Sequence, residues 1–165
     1  MPQPGYVIDS AAFAREGRHI DGEIEVRTLP RLADSLAGDQ GRLRFSARGE
    51  TGPEGKLYLD LETDGTLSLR CQRCLAQLEF PVVLRSRFLL VPPGAAWPED
   101  ELTDDRFDAI AAEHEQDLVA LIEQEVMLAI PLAPRHDQCA LPGPADDKEK
   151  VSAFAALAAL KRDAH

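Results

Sequence analysis

A chain of 165 residues with 44% hydrophobic and 28% charged side chains is long enough for one globular domain with a short appendage, and too short for two full domains. Its net charge of -11 is uneven: residues 91–150 carry 15 acidic and 4 basic side chains, whereas residues 42–90 carry 6 and 8. This excludes a generally basic nucleic-acid binder, so that any phosphate contact must be local, while an acidic body suits a basic partner such as a ribosomal protein.

No apolar run is long enough to cross a bilayer, and the first residues lack the basic and apolar stretches of a secretory leader. A cytoplasmic protein is expected, and in that compartment three cysteines are poor disulfide material.

In chain order, Ser10 is placed to cap a short helix running to Arg15, with Gly17 ending it. Ile20, Ile24 and Val26 suggest a strand, and Pro30 to Ala37 a second short helix with Leu32 and Leu36 on one face. Apolar residues then recur at alternate positions: Leu43, Phe45, Ala47; Leu57, Leu59, Leu61; Leu67, Leu69, Cys71; and Leu78, Phe80, Val82, Leu84, Phe88. This predicts an antiparallel meander of about four strands with one dry face. Gly52-Pro53-Glu54-Gly55 supplies its first turn and Asp64-Gly65 a tight hairpin requiring positive φ. Pro81 implies an edge position or a bulge in the last strand.

After Val91-Pro92-Pro93-Gly94 an acidic loop is expected over residues 95–105, and residues 107–112 read equally as a strand or a helical turn. Asp117 caps an amphipathic helix whose Leu118, Leu121, Ile122, Val126 and Ala129 pack on the sheet, with Glu123, Gln124 and Glu125 largely on the other face and Pro131 closing it. The fold class is therefore α+β, with a single domain over residues 1–140. An acidic flexible linker follows over residues 141–150, then a short C-terminal docking helix over residues 151–165.

The chemistry concentrates in the cysteines. Cys71-Gln72-Arg73-Cys74 places two thiols on one turn between strands, and His136 and Cys139 repeat the spacing downstream. Together they form a candidate zinc set of three thiolates and one imidazole. The competing reading is a buried core cysteine, an exposed thiol and an unrelated downstream pair. Redox catalysis is disfavoured because the motif does not open a helix, where the dipole would lower a thiol pKa. Sequence patterns of hydrolases and phosphate-binding loops do not occur. Arg70 and Arg73 flank the turn and are the candidate contacts to RNA phosphates, without an aromatic platform for bases.

Cys71-Gln72-Arg73-Cys74-Leu75 after an alternating strand, a helix opening at Asp117-Leu118 and ending Leu128-Ala129-Ile130-Pro131, then Pro134-Arg135-His136-Asp137 with Cys139 and the terminal Phe154 to Arg162, resemble the large ribosomal RNA subunit accumulation protein family, the YceD family. The resemblance runs from about residue 40 to Arg162. It implies a non-enzymatic cytoplasmic factor for accumulation or processing of large-subunit (23S) ribosomal RNA. Its partners would be a large-subunit ribosomal protein, the precursor RNA or both, with no membrane and no small-molecule substrate. Other members carry further cysteines near the C-terminus, which supports a metal in them. The ending resembles that of proteobacterial relatives and marks Phe154, Leu157 and Lys161 as partner-binding. A zinc-stabilised structural adaptor without an RNA role and an RNA-processing enzyme stand as the alternative readings.

Overall fold

The computed structural model describes residues 6–98 and 106–141. The expected linker beyond Leu141, the terminal helix with Phe154, Leu157 and Lys161, and much of the acidic loop lie outside the described residues.

Among the described residues the chain runs β1 (Val7–Ile8), α1 (Ser10–Arg15), β2 (His19–Glu25), β3 (Arg42–Thr51), β4 (Leu57–Arg70), β5 (Gln77–Val91), β6 (Asp108–Ala111), β7 (Gln116–Asp117) and α2 (Leu118–Ala129). Strands β2 to β5 form the antiparallel meander, and β6 extends it in the order β2-β3-β4-β5-β6. β1 and β7 pair separately, which ties the start of the chain to the entry of α2. The α+β class therefore stands, with the antiparallel sheet as its body.

Alternation sets the faces. Leu43, Phe45 and Ala47 of β3, Leu57, Leu59, Leu61, Leu67 and Leu69 of β4, and Val82, Phe88 and Leu90 of β5 are buried on the inner face. Leu118, Leu121, Ile122 and Val126 of α2, with Phe13 and Ala14 of α1, join that core. Each such valine, leucine, isoleucine or phenylalanine contributes roughly 1.5–3 kcal/mol by leaving water, the alanines less. At the end of β5 the side chains of Phe88–Val91 are buried on both faces, and β6 pairs in parallel along the edge of this run. Residues 108–111 are thus a strand.

The expected hairpin at Asp64-Gly65 does not form. β4 continues unbroken from Leu57 to Arg70, with Gly65 opposite Leu43 on one side and Val82 on the other. The glycine answers crowding rather than turning: a Cβ on Gly65 would sit 2.7 Å from the Arg42 carbonyl oxygen and 2.7 Å from Leu43 Cδ2. The positive φ angles fall in the preceding connection, at Glu54 (59°) and Gly55 (73°), where the chain does reverse. The segments expected as two strands, residues 57–61 and 67–71, are one.

Three smaller expectations change. The cap of α1 is Asp9, which accepts the Ala12 amide at 2.8 Å, while Ser10 is buried with its hydroxyl donating to the Glu113 carbonyl. Residues 30–37 form no continuous helix; two 3-10 turns, Val26–Thr28 and Pro30–Leu32, still bury Leu32 and Leu36. Glu123 lies in the core rather than on the solvent face, 5% exposed, and accepts the Arg31 amide at 2.6 Å. Pro81 lies where expected, on a stretch of β5 that β6, paired only at Phe88–Val91, leaves open.

The outer face of the sheet carries charges in facing stripes. Arg42 pairs with Glu23, Arg44 with Asp64, Arg85 with Glu62, and Arg87 with both Glu50 and Asp60. The excess of arginines in the middle of the chain is therefore largely neutralised where it lies.

Candidate metal centre

The centre is assembled where the longest hairpin ends. β4 outruns β3 toward its C-terminus, and the far edge is held instead by residues 35–37: Leu36 bridges Leu69, the Ala37 amide donates to Ser68, and the Arg70 amide donates to Ser35. This support carries β4 as far as Cys71, which is fully buried.

The turn back into β5 is tight. The Cys71 amide donates to the Ala76 carbonyl at 2.9 Å and the Leu75 amide to the Cys71 carbonyl at 2.9 Å. Closing it puts Leu75 at φ 62°, an unusual conformation for a branched apolar residue. The reversal directs the Cys71 and Cys74 sulfurs to one side.

The second ligand pair arrives from the end of α2. Ile130 is extended, as the residue before a proline must be, and the chain leaves the helix along the hairpin tip. There the Gln72 amide donates to the Pro134 carbonyl at 2.8 Å. His136 and Cys139 then face the first pair: Cys71 Sγ is 3.7 Å from Cys139 Sγ, and Cys74 Sγ is 3.4 Å from His136 Nδ1. All four ligand atoms lie within 4.8 Å of one another.

A tetrahedral zinc ion with Zn–S of about 2.3 Å and Zn–N of about 2.0–2.1 Å has edges of about 3.8 Å between sulfurs and about 3.5 Å from sulfur to nitrogen. The two close contacts match those edges. The donor set, three sulfurs and one imidazole, is one that zinc prefers in structural sites, and the cluster is compatible with that ion.

The four groups share their protons unevenly: Cys71 is shifted toward the thiolate, whereas Cys74 and His136 are shifted toward their protonated forms, which a bound cation would have to displace. Burial pushes the Cys71 thiol up, but hydrogen bonds from the amides of Cys74, Arg73 and His136 outweigh it and bring the group down to about 5. At Cys74 the Ala76 amide pulls downward, yet burial and the neighbouring Cys71 and Cys139 sulfurs leave the thiol raised. Hydrogen bonding to Cys71, and then to Cys139, raises His136. His136 Nε2 lies 3.0 Å from the Gln77 carbonyl, which can only accept; Nε2 therefore carries a proton, and in the neutral ring Nδ1 offers its lone pair to the cluster.

The four residues picked out by their spacing are thus brought together. The two arginines separate in role. Arg70 is exposed at the end of β4. Arg73 turns inward, its Nε 2.9 Å from Cys139 Sγ and its Nη2 2.7 Å from the His136 carbonyl. Gln77 and Pro134 enter through backbone carbonyls, for which side-chain identity offers no signal.

A family model described as large ribosomal RNA subunit accumulation protein YceD matches residues 59–161, a span that includes all four candidate ligands. The chain belongs to the YceD family. Membership ties the protein to accumulation of large-subunit ribosomal RNA, and the family is described as an accumulation factor rather than as an enzyme. No match was found to a curated protein or to a solved structure. Among the described residues no helix is long and apolar enough to cross a membrane.

Proposed function

We propose that this YceD-family protein is a cytoplasmic factor that supports accumulation of large-subunit (23S) ribosomal RNA by binding, without a catalytic step, and that zinc held by Cys71, Cys74, His136 and Cys139 clasps its fold. The observation carrying this reading is the family match over residues 59–161, which spans the whole clasp.

The donor set supports a structural ion. Three thiolates and one imidazole fill the four positions of a tetrahedral ion, whereas a catalytic zinc keeps one position for water or substrate. When bound, the metal would supply a cross-link between the β4–β5 turn and the segment after α2. The protein's own part is to present the ligands: the turn amides hold Cys71 as thiolate, and the Gln77 carbonyl holds the tautomer of His136.

Binding follows charge. A net charge of -11 favours a basic large-subunit ribosomal protein as the direct partner. Arg42, Arg44, Arg85 and Arg87 of the outer face are paired with carboxylates, and Arg73 faces the cluster, so of the two arginines flanking the turn it is the exposed Arg70 that is open to precursor RNA. The C-terminal segment bearing Phe154, Leu157 and Lys161 is the second docking element.

The test is genetic and biochemical together. Loss of the gene is expected to lower large-subunit ribosomal RNA relative to small-subunit RNA, with restoration by the wild-type chain and weaker restoration by Cys71→Ser. Tagged protein is expected to co-purify with a large-subunit ribosomal protein or precursor RNA. Unchanged RNA levels on gene loss, or a tagged protein that brings down neither partner, overturn the reading.

A further inference from the structure

We propose that Arg73 is the positioning residue of the metal centre: it balances the charge of the loaded cluster and locks the two ligand pairs together. This rests on the zinc reading above. Cys71 and Cys74 come from one hairpin turn, and His136 and Cys139 from one segment after α2. The vulnerable part of such a site is the joint between the two.

Arg73, lying between the cysteines of the first pair, spans that joint. Its Nε donates to Cys139 Sγ at 2.9 Å, while its Nη2 donates to the His136 carbonyl at 2.7 Å and reaches the Asp137 carbonyl at 3.3 Å. One side chain thus grips a ligand atom of the second pair and the backbone that carries that pair.

Charge gives the same answer. A divalent ion with three thiolates and a neutral imidazole leaves one net negative charge in a partly buried site, where an unbalanced charge is costly. The guanidinium against the third sulfur supplies the balance. Only a planar, forked cation makes both contacts at once; a lysine restores the charge but, as a point donor, cannot hold sulfur and carbonyl in the same geometry. Outer contacts of this kind typically tune metal affinity by about 10–100-fold.

The experiment uses the full chain loaded with cobalt(II) as a coloured substitute for zinc and titrated against a chelator, comparing wild type, Arg73→Ala and Arg73→Lys. Arg73→Ala is expected to lose about 10–100-fold in affinity. Its thiolate-to-cobalt charge-transfer band should shift, because the Cys139 sulfur has lost a hydrogen bond, while far-ultraviolet circular dichroism keeps the sheet signal. Arg73→Lys should recover part of the affinity. Wild-type affinity and spectrum in Arg73→Ala overturn the proposal. If Arg73→Ala loses the sheet signal, Arg73→Lys decides: intermediate affinity with a shifted band supports the proposal, and wild-type behaviour overturns it. A wild-type chain that takes up neither cobalt nor zinc overturns this proposal and the zinc reading together, whereas a normal centre in the variants overturns this one alone.

Discussion

The imidazole of His136 and the backbone carbonyl of Gln77 meet at 3.0 Å across 59 residues of sequence, and through that bond the segment leaving α2 is fastened to the first residue of β5. The bond fixes which imidazole nitrogen is left to ligate, and the Gln72–Pro134 hydrogen bond repeats the fastening one turn away. Both contacts lie at the tip of a hairpin whose body is held by the sheet.

Metal removal should therefore loosen the tip and leave the body. Protein purified without added metal is expected to contain one zinc per chain, and Cys71→Ser or Cys139→Ser to contain markedly less. Chelation should raise hydrogen exchange at the Gln72 amide while the β3–β4 amides, held by the sheet ladder, keep their protection. Metal analysis and residue-level exchange check both; sheet amides that open together with the tip would contradict it.

Gly65→Ala should destabilise the protein by about 1–3 kcal/mol, the range for overpacking a close-packed site. The new methyl meets the Arg42 carbonyl and Leu43 within 2.7 Å, and one of these is backbone that cannot swing away. Asn, which tolerates a left-handed turn, should do no better than Ala, because Gly65 lies in extended strand and not in a turn. Urea unfolding of both variants provides the comparison.

Glu123→Ala should cost about 1.5–3 kcal/mol, the range for a hydrogen bond to a charged group. The carboxylate is buried in the core and accepts the Arg31 amide at 2.6 Å, joining α2 to the turn after β2. Glu123→Gln retains an acceptor of similar shape and should lose less. Equal losses in urea unfolding would show that the contact requires the negative charge and not merely an acceptor of that shape.

Asp9 gives the fold an acid-sensitive point. The Ala12 amide that it caps, and His114 at 2.8 Å, hold its carboxyl below the usual 3.8. A carboxyl whose folded pKa is depressed stabilises the fold above its unfolded pKa, and that contribution is lost as pH falls through the folded value. Carbon NMR should find Asp9 titrating below the ordinary aspartate range. Exchange at the Ala12 amide should rise through the same pH interval, and Asp9→Ala should remove that dependence.

The antiparallel strands, the dry face and the capped helix after Asp117 were legible from sequence because alternation, helical periodicity and capping are local. The pairing of Cys71 and Cys74 was legible for the same reason: a short turn fixes both positions. Asp64-Gly65 misled because the same dipeptide serves two ends. A glycine can permit positive φ or admit a neighbouring backbone, and only the approach of Arg42 and Leu43 from β3 distinguishes them. Glu123 misled because a carboxylate is read as solvent-facing until an amide from elsewhere in the chain is seen to meet it.

By itself, then, the sequence determined the α+β class, the placing of Cys71 and Cys74 on one turn and the family likeness, all of which rest on neighbours along the chain. Tertiary structure alone decided that Cys71 and Cys139, 68 residues apart, lie 3.7 Å from each other, and that Arg73 faces their cluster rather than solvent. The physical reason is that such contacts depend on where two separately folded segments end. That placement is fixed by the length of β4, the packing of α2 and the backbone hydrogen bonds that fasten one segment to the other.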